Sequence, residues 1–239
     1  MIRKAPRPLR VVLFDLDGTL IDSTDLIVDS YVHTYRTHGR IMSGDQIRAE
    51  LGLPLHDTLA RYFRGDELKA ATATYLAYNL ARHDEGVRKM AGVVELVRRL
   101  RDLQLRLGVV TSKVRETARR GLTLCHLDGM FEALVAKEET RRHKPDSEPL
   151  LYALALLEVD ADETAYVGDS PLDVEAADGA GVRSVAALWR PVAQSAFAGI
   201  EPDAFAQTPG EAADILEAWR DGRSWGRDEG REEDHARGA

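Results

Sequence analysis

The chain has 239 residues, of which 44% are hydrophobic and 30% are charged, a composition sufficient for one sizeable core with an inserted subdomain. Its formal net charge of -8 argues against a nucleic-acid-binding protein, because such proteins hold the phosphate backbone with clustered lysine and arginine. Cys125, the single cysteine, excludes an intramolecular disulfide and a thiolate metal cluster, so a bound metal would need oxygen or histidine ligands.

The apolar runs of the sequence, such as residues 11–14 and 107–110, are far shorter than the roughly 20 residues that a membrane-spanning helix needs. We therefore expect no membrane partner and a cytoplasmic location. The acidic net charge does not exclude a small phosphorylated ligand, because a few local donors and a cation are enough to hold one. Nothing in the sequence predicts the oligomeric state.

The first predicted element is a buried strand at residues 11–15, a short apolar run with β-branched side chains that opens into a loop at Gly18. The long segment that follows shows helical periodicity and no convincing strand. We interpret residues 23–88 as a helical cap subdomain inserted after the first strand, with helices predicted at residues 24–38, 43–51, 55–62 and 66–82.

The rest of the chain alternates strands with helices, which predicts an α/β fold with a doubly wound, Rossmann-like parallel sheet. The core would consist of residues 1–22 and 89–221, and residues 222–239, rich in glycine and charge, would be a disordered tail. In such a sheet ligands bind beyond the carboxyl ends of the strands. Strands are predicted at residues 105–111, 133–136, 164–168 and 183–187, and helices at residues 93–102, 114–125, 148–157 and 171–180.

Asp15 and Asp17 follow the first predicted strand in the sequence Asp-Leu-Asp-Gly-Thr-Leu. Because side chains alternate along an extended chain, the two carboxylates can point to the same side. Two close carboxylates repel each other unless a cation lies between them, and Gly18 permits a turn that could present amide N–H groups to an anion. The motif is also common in solvent-exposed turns, so it indicates a site only in combination with others.

A second acidic motif, Gly-Asp-Ser-Pro-Leu-Asp, follows the strand predicted at residues 164–168. Asp169 or Ser170 can cap the next helix, and Pro171 can begin it. A cap needs one acid, whereas Asp169 and Asp173 supply two. Together with the aspartates after the first strand, four carboxylates would meet at one edge of the sheet. A hard divalent cation makes this arrangement tolerable, and oxygen ligands favour Mg²⁺.

Two weaker signals complete the pattern. Thr111 and Ser112 end the second main strand, and Lys144 precedes Pro145 and a predicted helix. Taken in order, strand-Asp-x-Asp-Gly-Thr-Leu, strand-Thr-Ser, Lys-Pro and strand-Gly-Asp-Ser-x-x-Asp, the motifs resemble those of the haloacid dehalogenase superfamily of phosphohydrolases. The resemblance extends over roughly residues 9–221.

The resemblance implies roles for the residues after the strands. Asp15 would be the nucleophile that forms an aspartyl phosphate. Asp17 would be the general acid that protonates the leaving group and then the base that activates water. Thr111, with the backbone amides near Gly18 and Ser112, would hold the phosphoryl oxygens.

The resemblance also implies a cation site. Lys144 would neutralise charge around Asp15 and the substrate phosphate. Mg²⁺ would be held by the carboxylates of Asp15 and Asp169 and the backbone carbonyl of Asp17, with Asp173 orienting these ligands. The predicted site therefore has three overlapping sets: catalytic Asp15, Asp17, Thr111 and Lys144; substrate-binding Gly18, Thr19, Ser112 and Lys144; and metal-binding Asp15, Asp17, Asp169 and Asp173.

A finer resemblance lies outside these motifs. Residues 52–58, 79–85 and 111–117 resemble the inorganic pyrophosphatase branch of the superfamily, a close relative of the phosphoglycolate phosphatases. It implies a small phosphorylated metabolite as substrate, such as inorganic pyrophosphate or phosphoglycolate. Ser147 departs from the family, which usually repeats proline there. The second group of positive charge that pyrophosphate requires is expected from residues 141–144 and from two cap arginines, Arg61 and Arg82.

Three other functions are compatible with parts of the pattern. A sugar phosphomutase of the same superfamily could use Asp15 and Asp17 with a similar cap. A dehalogenase is disfavoured, because it would need neither Asp17 nor Mg²⁺. A non-catalytic regulatory protein would retain the fold but would usually have lost an active-site residue, and the sequence retains them all.

The remaining aromatic and histidine residues are given structural interpretations. The four cap histidines are expected at the surface or at the hinge, with His56 and His83 as candidates for contact with substrate. The three tryptophans are interpreted as packing or tail residues. The residues concerned are His33, His38, His56 and His83, and Trp189, Trp219 and Trp225.

Overall fold

A computed structural model describes residues 7–48, 51, 54–190 and 194–225. Within these ranges the chain forms eight strands, β1 to β8, and nine α-helices, α1 to α9. In chain order they are β1 (Val11–Phe14), β2 (Ile21–Asp22), α1 (Thr24–Thr37), α2 (Gly44–Arg48), α3 (Leu55–Ala60), α4 (Gly65–Gly86), β3 (Arg88–Lys89), α5 (Val93–Asp102), β4 (Arg106–Val110), α6 (Arg115–Leu124), β5 (Ala133–Val135), α7 (Glu148–Leu157), β6 (Thr164–Gly168), α8 (Pro171–Ala180), β7 (Arg183–Ala187), β8 (Ala204–Ala206) and α9 (Pro209–Arg220).

The main sheet has six parallel strands in the order β5-β4-β1-β6-β7-β8. Strand β1 lies between β4 and β6, with Leu13 paired to Gly108 on one side and to Tyr166 on the other. The carboxyl ends of the three strands therefore lie side by side, and the predicted parallel sheet is confirmed.

Strand β1 contributes to both faces of the sheet because its side chains alternate. Val12 and Phe14 pack in the cluster that contains residues of α5, α6 and α9, whereas Val11 and Leu13 pack in the cluster with α7 and α8. All four side chains are fully buried. Helices thus cover both faces, which is the doubly wound arrangement expected for buried parallel strands.

The sequence-based interpretation missed the last strand and the last helix. Strand β8 has only three residues, Ala-Phe-Ala, and no β-branched side chain, so its local preference for a strand is weak. Its position is set by pairing with β7. The start of α9 did carry a signal, because the Thr208 side chain accepts a hydrogen bond from the Glu211 amide and Pro209 is the first helical residue.

Helices α1 to α4 form a separate helical unit between β2 and β3. They have their own apolar cluster, which includes Tyr35, Leu59, Phe63 and Tyr75. Strands β2 and β3 pair antiparallel at the point where the chain enters and leaves this unit. The predicted boundaries after residue 22 and before residue 89 lie at this ladder, and we propose that it is the hinge between an α/β core and a helical cap.

One predicted cap helix extends beyond the described residues, and another is longer than predicted. Helix α2 spans Gly44–Arg48 within the predicted 43–51, while residues 49, 50, 52 and 53 are outside the described ranges. Helix α4 is longer at both ends than the predicted 66–82.

No helix in the described part of the chain has the length and apolar character needed to cross a membrane.

The first four residues of the predicted disordered tail lie within the described residues, and the prediction is wrong for them. Residues 222–225 are described, and Trp225 packs partly buried against the main core cluster. The Arg223 amide donates a hydrogen bond to the Ala218 carbonyl, 2.8 Å away, which continues the end of α9. The rest of the predicted tail, residues 226–239, is outside the described residues.

Deletion of residues 226–239 is expected to leave activity and melting temperature nearly unchanged, because alanine is the only aliphatic residue type in this segment. Deletion from Gly222 onward should lower the melting temperature, since it also removes the Trp225 contact with the core. Thermal unfolding of both truncated chains tests this boundary. Equal melting temperatures for the two would show that Trp225 adds no stability.

Candidate active site

Three aspartates converge at the carboxyl edge of the sheet. Asp15 follows β1, Asp169 follows β6, and Asp173 lies in the first turn of α8. One carboxylate oxygen from each lies within 4.8 Å of the others. Because β1 and β6 are parallel neighbours, their carboxyl ends bring together residues that are far apart in sequence. The structure therefore places three of the four predicted metal ligands in one cluster.

Lys144 contacts two of the three aspartates of this cluster. Its Nζ atom donates hydrogen bonds to Asp15 Oδ1 and Asp173 Oδ1, each 2.6 Å away, and to the Tyr166 hydroxyl at 2.9 Å. The side chain is only 8% exposed. Burial alone would lower the pKa of Lys144, but the two carboxylates raise it well above its usual value. The ammonium group is therefore charged and partly neutralises the aspartates.

The start of α8 fixes the position of Asp173. Ser170 precedes the helix, and both its amide and its hydroxyl donate hydrogen bonds to Asp173 Oδ2, at 3.0 and 2.7 Å. Gly168 allows the helix to approach the strand, because a Cβ atom there would lie 2.4 Å from Asp173 Cβ. The cap predicted from Ser170 and Pro171 is confirmed. One oxygen of Asp173 thus caps the helix while the other binds Lys144.

Lys144 and Arg190 compensate only part of the negative charge on Asp15 and Asp169. Burial raises the pKa of Asp15 to about 7, against the attraction of Lys144. Burial likewise raises the pKa of Asp169 to about 8, with the Arg190 guanidinium acting in the opposite direction. A divalent cation would favour the ionised form of both groups. The donor set, which consists of carboxylate oxygens, suits a hard cation such as Mg²⁺, so these residues fit the predicted metal.

Asp17 lies beside this cluster and has different partners. Its Oδ1 atom accepts hydrogen bonds from Lys113 Nζ at 2.6 Å and from Ser23 Oγ at 2.5 Å. Although burial alone would raise the pKa of Asp17, the charge and hydrogen bonds of Lys113 and the Ser23 hydroxyl hold it below its usual value. The Asp17 carboxylate is not part of the three-aspartate cluster. A role for its backbone carbonyl as a metal ligand stays a prediction.

The turn after β1 uses the backbone amides differently from the expectation. The Gly18 amide donates to the Ile21 carbonyl at 2.8 Å, and the Thr19 amide to the Leu16 carbonyl at 3.4 Å. These two donors therefore hold the turn closed instead of facing a ligand. In the described part of the chain we find no acceptor for the amides of Leu16 and Asp17, which lie next to Asp15. These amides are better candidates for binding an anion.

The predicted hydroxyl residues lie at the end of β4. Thr111 is buried, and its Oγ1 accepts a hydrogen bond from the Lys113 amide at 3.1 Å, which shapes the turn. Ser112 is exposed. Thr19, also predicted to bind substrate, is fully buried, and its hydroxyl has no partner among the described residues. Its burial argues for a structural position under the turn.

Four residues at the site were not among the predicted ones. Lys113 binds Asp17, Tyr166 binds Lys144, and Arg190 forms an ion pair with Asp169. Trp189 donates from Nε1 to the Thr19 carbonyl at 3.1 Å. Lys113 had a usable signal, because it directly follows the Thr-Ser pair. The other three follow or lie within predicted strands, where apolar neighbours obscure a polar role.

The cap histidines are not part of the three-aspartate cluster, and Arg142, in the basic stretch before Lys144, pairs within its own loop. His83 lies in the last turn of α4, next to the proposed hinge, and is fully buried, so of the two predicted positions, surface or hinge, the surface one is wrong. Burial lowers the pKa of His83, and its Nε2 has no partner among the described residues. His33 stacks on Tyr78. Arg142 pairs with Asp146 and Glu148 at its own loop, and both distances are 3.0 Å.

Replacement of Gly18 by alanine (Gly18→Ala) should abolish most activity and destabilise the protein. Its φ of +91° favours glycine, and a Cβ there would lie 2.2 Å from Asp169 Oδ2. The backbone strain alone costs about 1–3 kcal/mol. Gly129→Ala is the matched control, because its φ is +68° and nothing lies within 4 Å of the added atom. Equal effects of the two changes on melting temperature and activity would show that the space between Gly18 and Asp169 is not restrictive.

Comparison with known proteins identifies the family. A sequence profile of the haloacid dehalogenase-like hydrolases matches residues 12–187. The chain therefore belongs to the haloacid dehalogenase-like hydrolase family and is an enzyme of the hydrolase class, as the order of its motifs predicted.

Individual relatives agree with this assignment. A candidate PpaX pyrophosphatase of Caldanaerobacter subterraneus is 43% identical over 182 residues, which are 76% of this chain and 82% of that protein. The PpaX pyrophosphatase of Anoxybacillus flavithermus is 34% identical over 209 residues, 87% of this chain and 97% of its own. A predicted phosphoglycolate phosphatase of Haemophilus somnus has the same fold, with a TM-score of 0.77 at 22% identity over 87% of this chain and 97% of its own.

Proposed function

We propose that this hydrolase is a magnesium-dependent phosphohydrolase that acts through an aspartyl phosphate on a small phosphorylated metabolite, with inorganic pyrophosphate as the preferred substrate. The observation that carries the proposal is the contact of Asp15 with Lys144 inside a cluster of three buried aspartates. A carboxylate that faces an anionic substrate needs such cations, because phosphoryl transfer depends on charge stabilisation and positioning.

Asp15 is the proposed nucleophile. Its Oδ1 atom binds Lys144, and in the described part of the chain Oδ2 has no hydrogen-bond donor. One carboxylate oxygen is thereby held while the other can attack phosphorus. The bond from phosphorus to the leaving oxygen breaks, and its electron pair departs with the leaving group. This step converts the Asp15 carboxylate into an aspartyl phosphate, so a second step must regenerate the free carboxylate.

Asp17 is the proposed proton acceptor of that second step. Water attacks the phosphorus of the aspartyl phosphate, its proton passes to the Asp17 carboxylate, and the bond to Asp15 breaks to release orthophosphate. The hydrogen bonds from Lys113 and Ser23 hold Asp17 as an oriented, ionised acceptor. In the first step it can donate only after gaining a proton, which matters for the choice of substrate.

Anion binding is proposed for a different set of donors. Lys144 contributes a buried positive charge, and the amides of Leu16 and Asp17 contribute N–H groups without described acceptors. Thr111 and Ser112 lie at the end of the adjacent strand β4. Donors that are fixed before the substrate arrives stabilise developing charge without further reorganisation.

The proposed metal ligands are Asp15 and Asp169, with Asp173 holding Lys144 and the start of α8 beside them. When bound, Mg²⁺ would supply Lewis-acid stabilisation of charge on the phosphoryl oxygens. The two carboxylates with raised pKa values are the ones that such a cation would keep ionised. The protein contributes their positions and their burial.

Pyrophosphate is favoured over phosphate esters by the state of Asp17. Orthophosphate, the leaving group from pyrophosphate, is a much weaker base than the alkoxide that leaves from an ester, so it needs less help from a general acid. An Asp17 carboxylate bound to Lys113 is suited to this case. The two PpaX pyrophosphatases, which match most of this chain, support the same choice.

Phosphoglycolate is the second candidate, because its carboxylate demands a second cationic contact much as pyrophosphate does. The structural likeness to a predicted phosphoglycolate phosphatase establishes the fold alone. A sugar phosphomutase would have to protect the aspartyl phosphate from water and transfer it to a sugar phosphate. A regulatory protein would show no turnover at all.

The decisive measurement compares kcat/KM for pyrophosphate, phosphoglycolate and a hexose phosphate under identical Mg²⁺, with a parallel series in EDTA. We expect phosphate release only with Mg²⁺ and the highest kcat/KM with pyrophosphate. Preference for phosphoglycolate would change the substrate but not the reaction. A clear preference for the hexose phosphate, with transfer to a second sugar phosphate, would replace the proposal by the mutase.

A further inference from the structure

Arg190 occupies the edge of the aspartate cluster although no sequence motif drew attention to it. It lies three residues after β7, and its Nη1 atom is 3.2 Å from Asp169 Oδ2. The preceding residue, Trp189, donates a hydrogen bond to the Thr19 carbonyl in the turn after Asp15. The backbone that carries Arg190 is thereby attached to the turn that carries the nucleophile.

The guanidinium group lies directly against the backbone of that turn. A Cβ atom at Gly18 would be 2.4 Å from Arg190 Nη1 and 2.2 Å from Asp169 Oδ2. The absence of a side chain at Gly18 therefore makes room for both groups. The Arg190 side chain is 17% exposed and that of Asp169 is 10% exposed, so the pair is largely shielded from solvent.

Among the described residues, two cationic side chains pair with the three-aspartate cluster. Lys144 binds Asp15 and Asp173, whereas the ion-pair partner of Asp169 in the described part of the chain is Arg190. Asp169 is also a proposed metal ligand. A metal ion and a guanidinium group on the same carboxylate would repel each other, and arginine cannot relieve this by losing its proton.

We propose that Arg190 neutralises Asp169 in the metal-free enzyme and, once metal binds, turns to the second anionic group of the substrate. This inference rests on the proposed function, because it assigns the distal phosphate of pyrophosphate, or the carboxylate of phosphoglycolate, to this guanidinium. A guanidinium group forms paired hydrogen bonds with such oxygens. The Trp189 contact keeps the released side chain beside the phosphoryl site.

Two arginines that the sequence suggested for this role have other partners. Arg142 is 70% exposed and pairs with Asp146 and Glu148. Arg82 pairs with Glu85 at 3.8 Å and lies over the ring of Tyr78, in the cavity of about 220 Å³ that lies against α1 and α4. Neither contacts the aspartate cluster, whereas Arg190 does.

A binding experiment tests the second-anion contact without turnover. Calorimetry with Mg²⁺ compares methylenediphosphonate, a pyrophosphate analogue that resists hydrolysis, with phosphonoacetate and orthophosphate. For Arg190→Gln we expect affinity for the two ligands with a second anionic group to fall about tenfold or more. Affinity for orthophosphate should change much less. Arg190→Lys, which keeps the charge but not the paired hydrogen bonds, should lie between Arg190→Gln and the parent.

Metal binding to the ligand-free enzyme tests the other half of the inference. Because Arg190 competes with the metal for Asp169, Arg190→Gln should bind Mg²⁺ several-fold more tightly than the parent in a calorimetric titration. Arg98→Gln is the matched control, since it removes the same charge from an exposed position on α5. Its affinities for Mg²⁺ and for all three anions should equal those of the parent.

The outcomes separate this inference from the proposed function. Equal losses for all three anions in Arg190→Gln, no loss for any of them, or unchanged Mg²⁺ affinity would overturn the inference. So would a parent enzyme that binds orthophosphate as tightly as the two larger ligands. Failure of the parent to hydrolyse pyrophosphate or phosphoglycolate would instead contradict the proposed function, and it is measured separately from binding.

Discussion

Asp15→Asn is expected to lower kcat by about 10⁴-fold or more, the scale seen when other enzymes lose their nucleophile. An amide of similar shape cannot form the acyl phosphate. The other two aspartates of the cluster cannot replace it, because Asp173 is bound by Lys144 and Asp169 by Arg190. The change also removes one negative charge from a crowded, buried site, so the melting temperature should stay close to that of the parent. Phosphate release and thermal unfolding of the purified variant measure both effects.

The control for this experiment is Asp128→Asn, an exposed aspartate in the loop between α6 and β5. It should have the activity and melting temperature of the parent. If Asp15→Asn still released phosphate at a rate near that of the parent, Asp15 would not be the nucleophile. A collapse in melting temperature would instead show that the Asp15 charge is needed to hold Lys144.

Lys144→Met is expected to inactivate the enzyme and to lower its free energy of unfolding by about 3–5 kcal/mol. It removes the partner of two buried carboxylates and of the Tyr166 hydroxyl. For a chain of this size such a loss corresponds to a fall in melting temperature of about 10 °C or more. Chemical denaturation in the absence of Mg²⁺ measures the free energy directly.

Two further variants separate the buried charge from other effects. Adding Asp173→Asn to Lys144→Met should restore part of the stability but none of the activity, because it removes an unpaired buried charge. Lys69→Met is the surface control: its ion pair with Asp66 spans 2.9 Å, but both side chains are more than four-fifths exposed. Equal destabilisation by the Lys69 and Lys144 changes would mean that the contacts of Lys144 with Asp15 and Asp173 do not stabilise the fold.

The contrast between Lys144 and Lys113 explains why the sequence identified only one of two site lysines. Both make 2.6 Å contacts with an aspartate of the same turn, Lys144 with Asp15 and Lys113 with Asp17. Lys144 stands before a proline in a recognisable motif. Lys113 belongs to a turn whose neighbouring residues are common in loops, so its role became visible only from its contact.

The residues themselves determined the fold class and the approximate site. Alternating apolar strands and helices predict a parallel sheet, and parallel neighbours must bring their carboxyl ends together. That geometric necessity is why Asp15 and Asp169 could be assigned to one site from the sequence. The order of the motifs likewise identified the family that comparison with known proteins then established.

Only the tertiary structure decided which atoms face the ligand. The Gly18 amide donates a hydrogen bond to the Ile21 carbonyl within the turn. Lys113 binds Asp17, 96 residues away in the sequence, and Arg190 forms an ion pair with Asp169 beside Gly18. The last two depend on how close distant segments of the chain approach each other, which local preference does not encode. A charged side chain on a strand or loop has the same pattern in sequence whether it faces solvent or a buried carboxylate, and packing alone distinguishes the two.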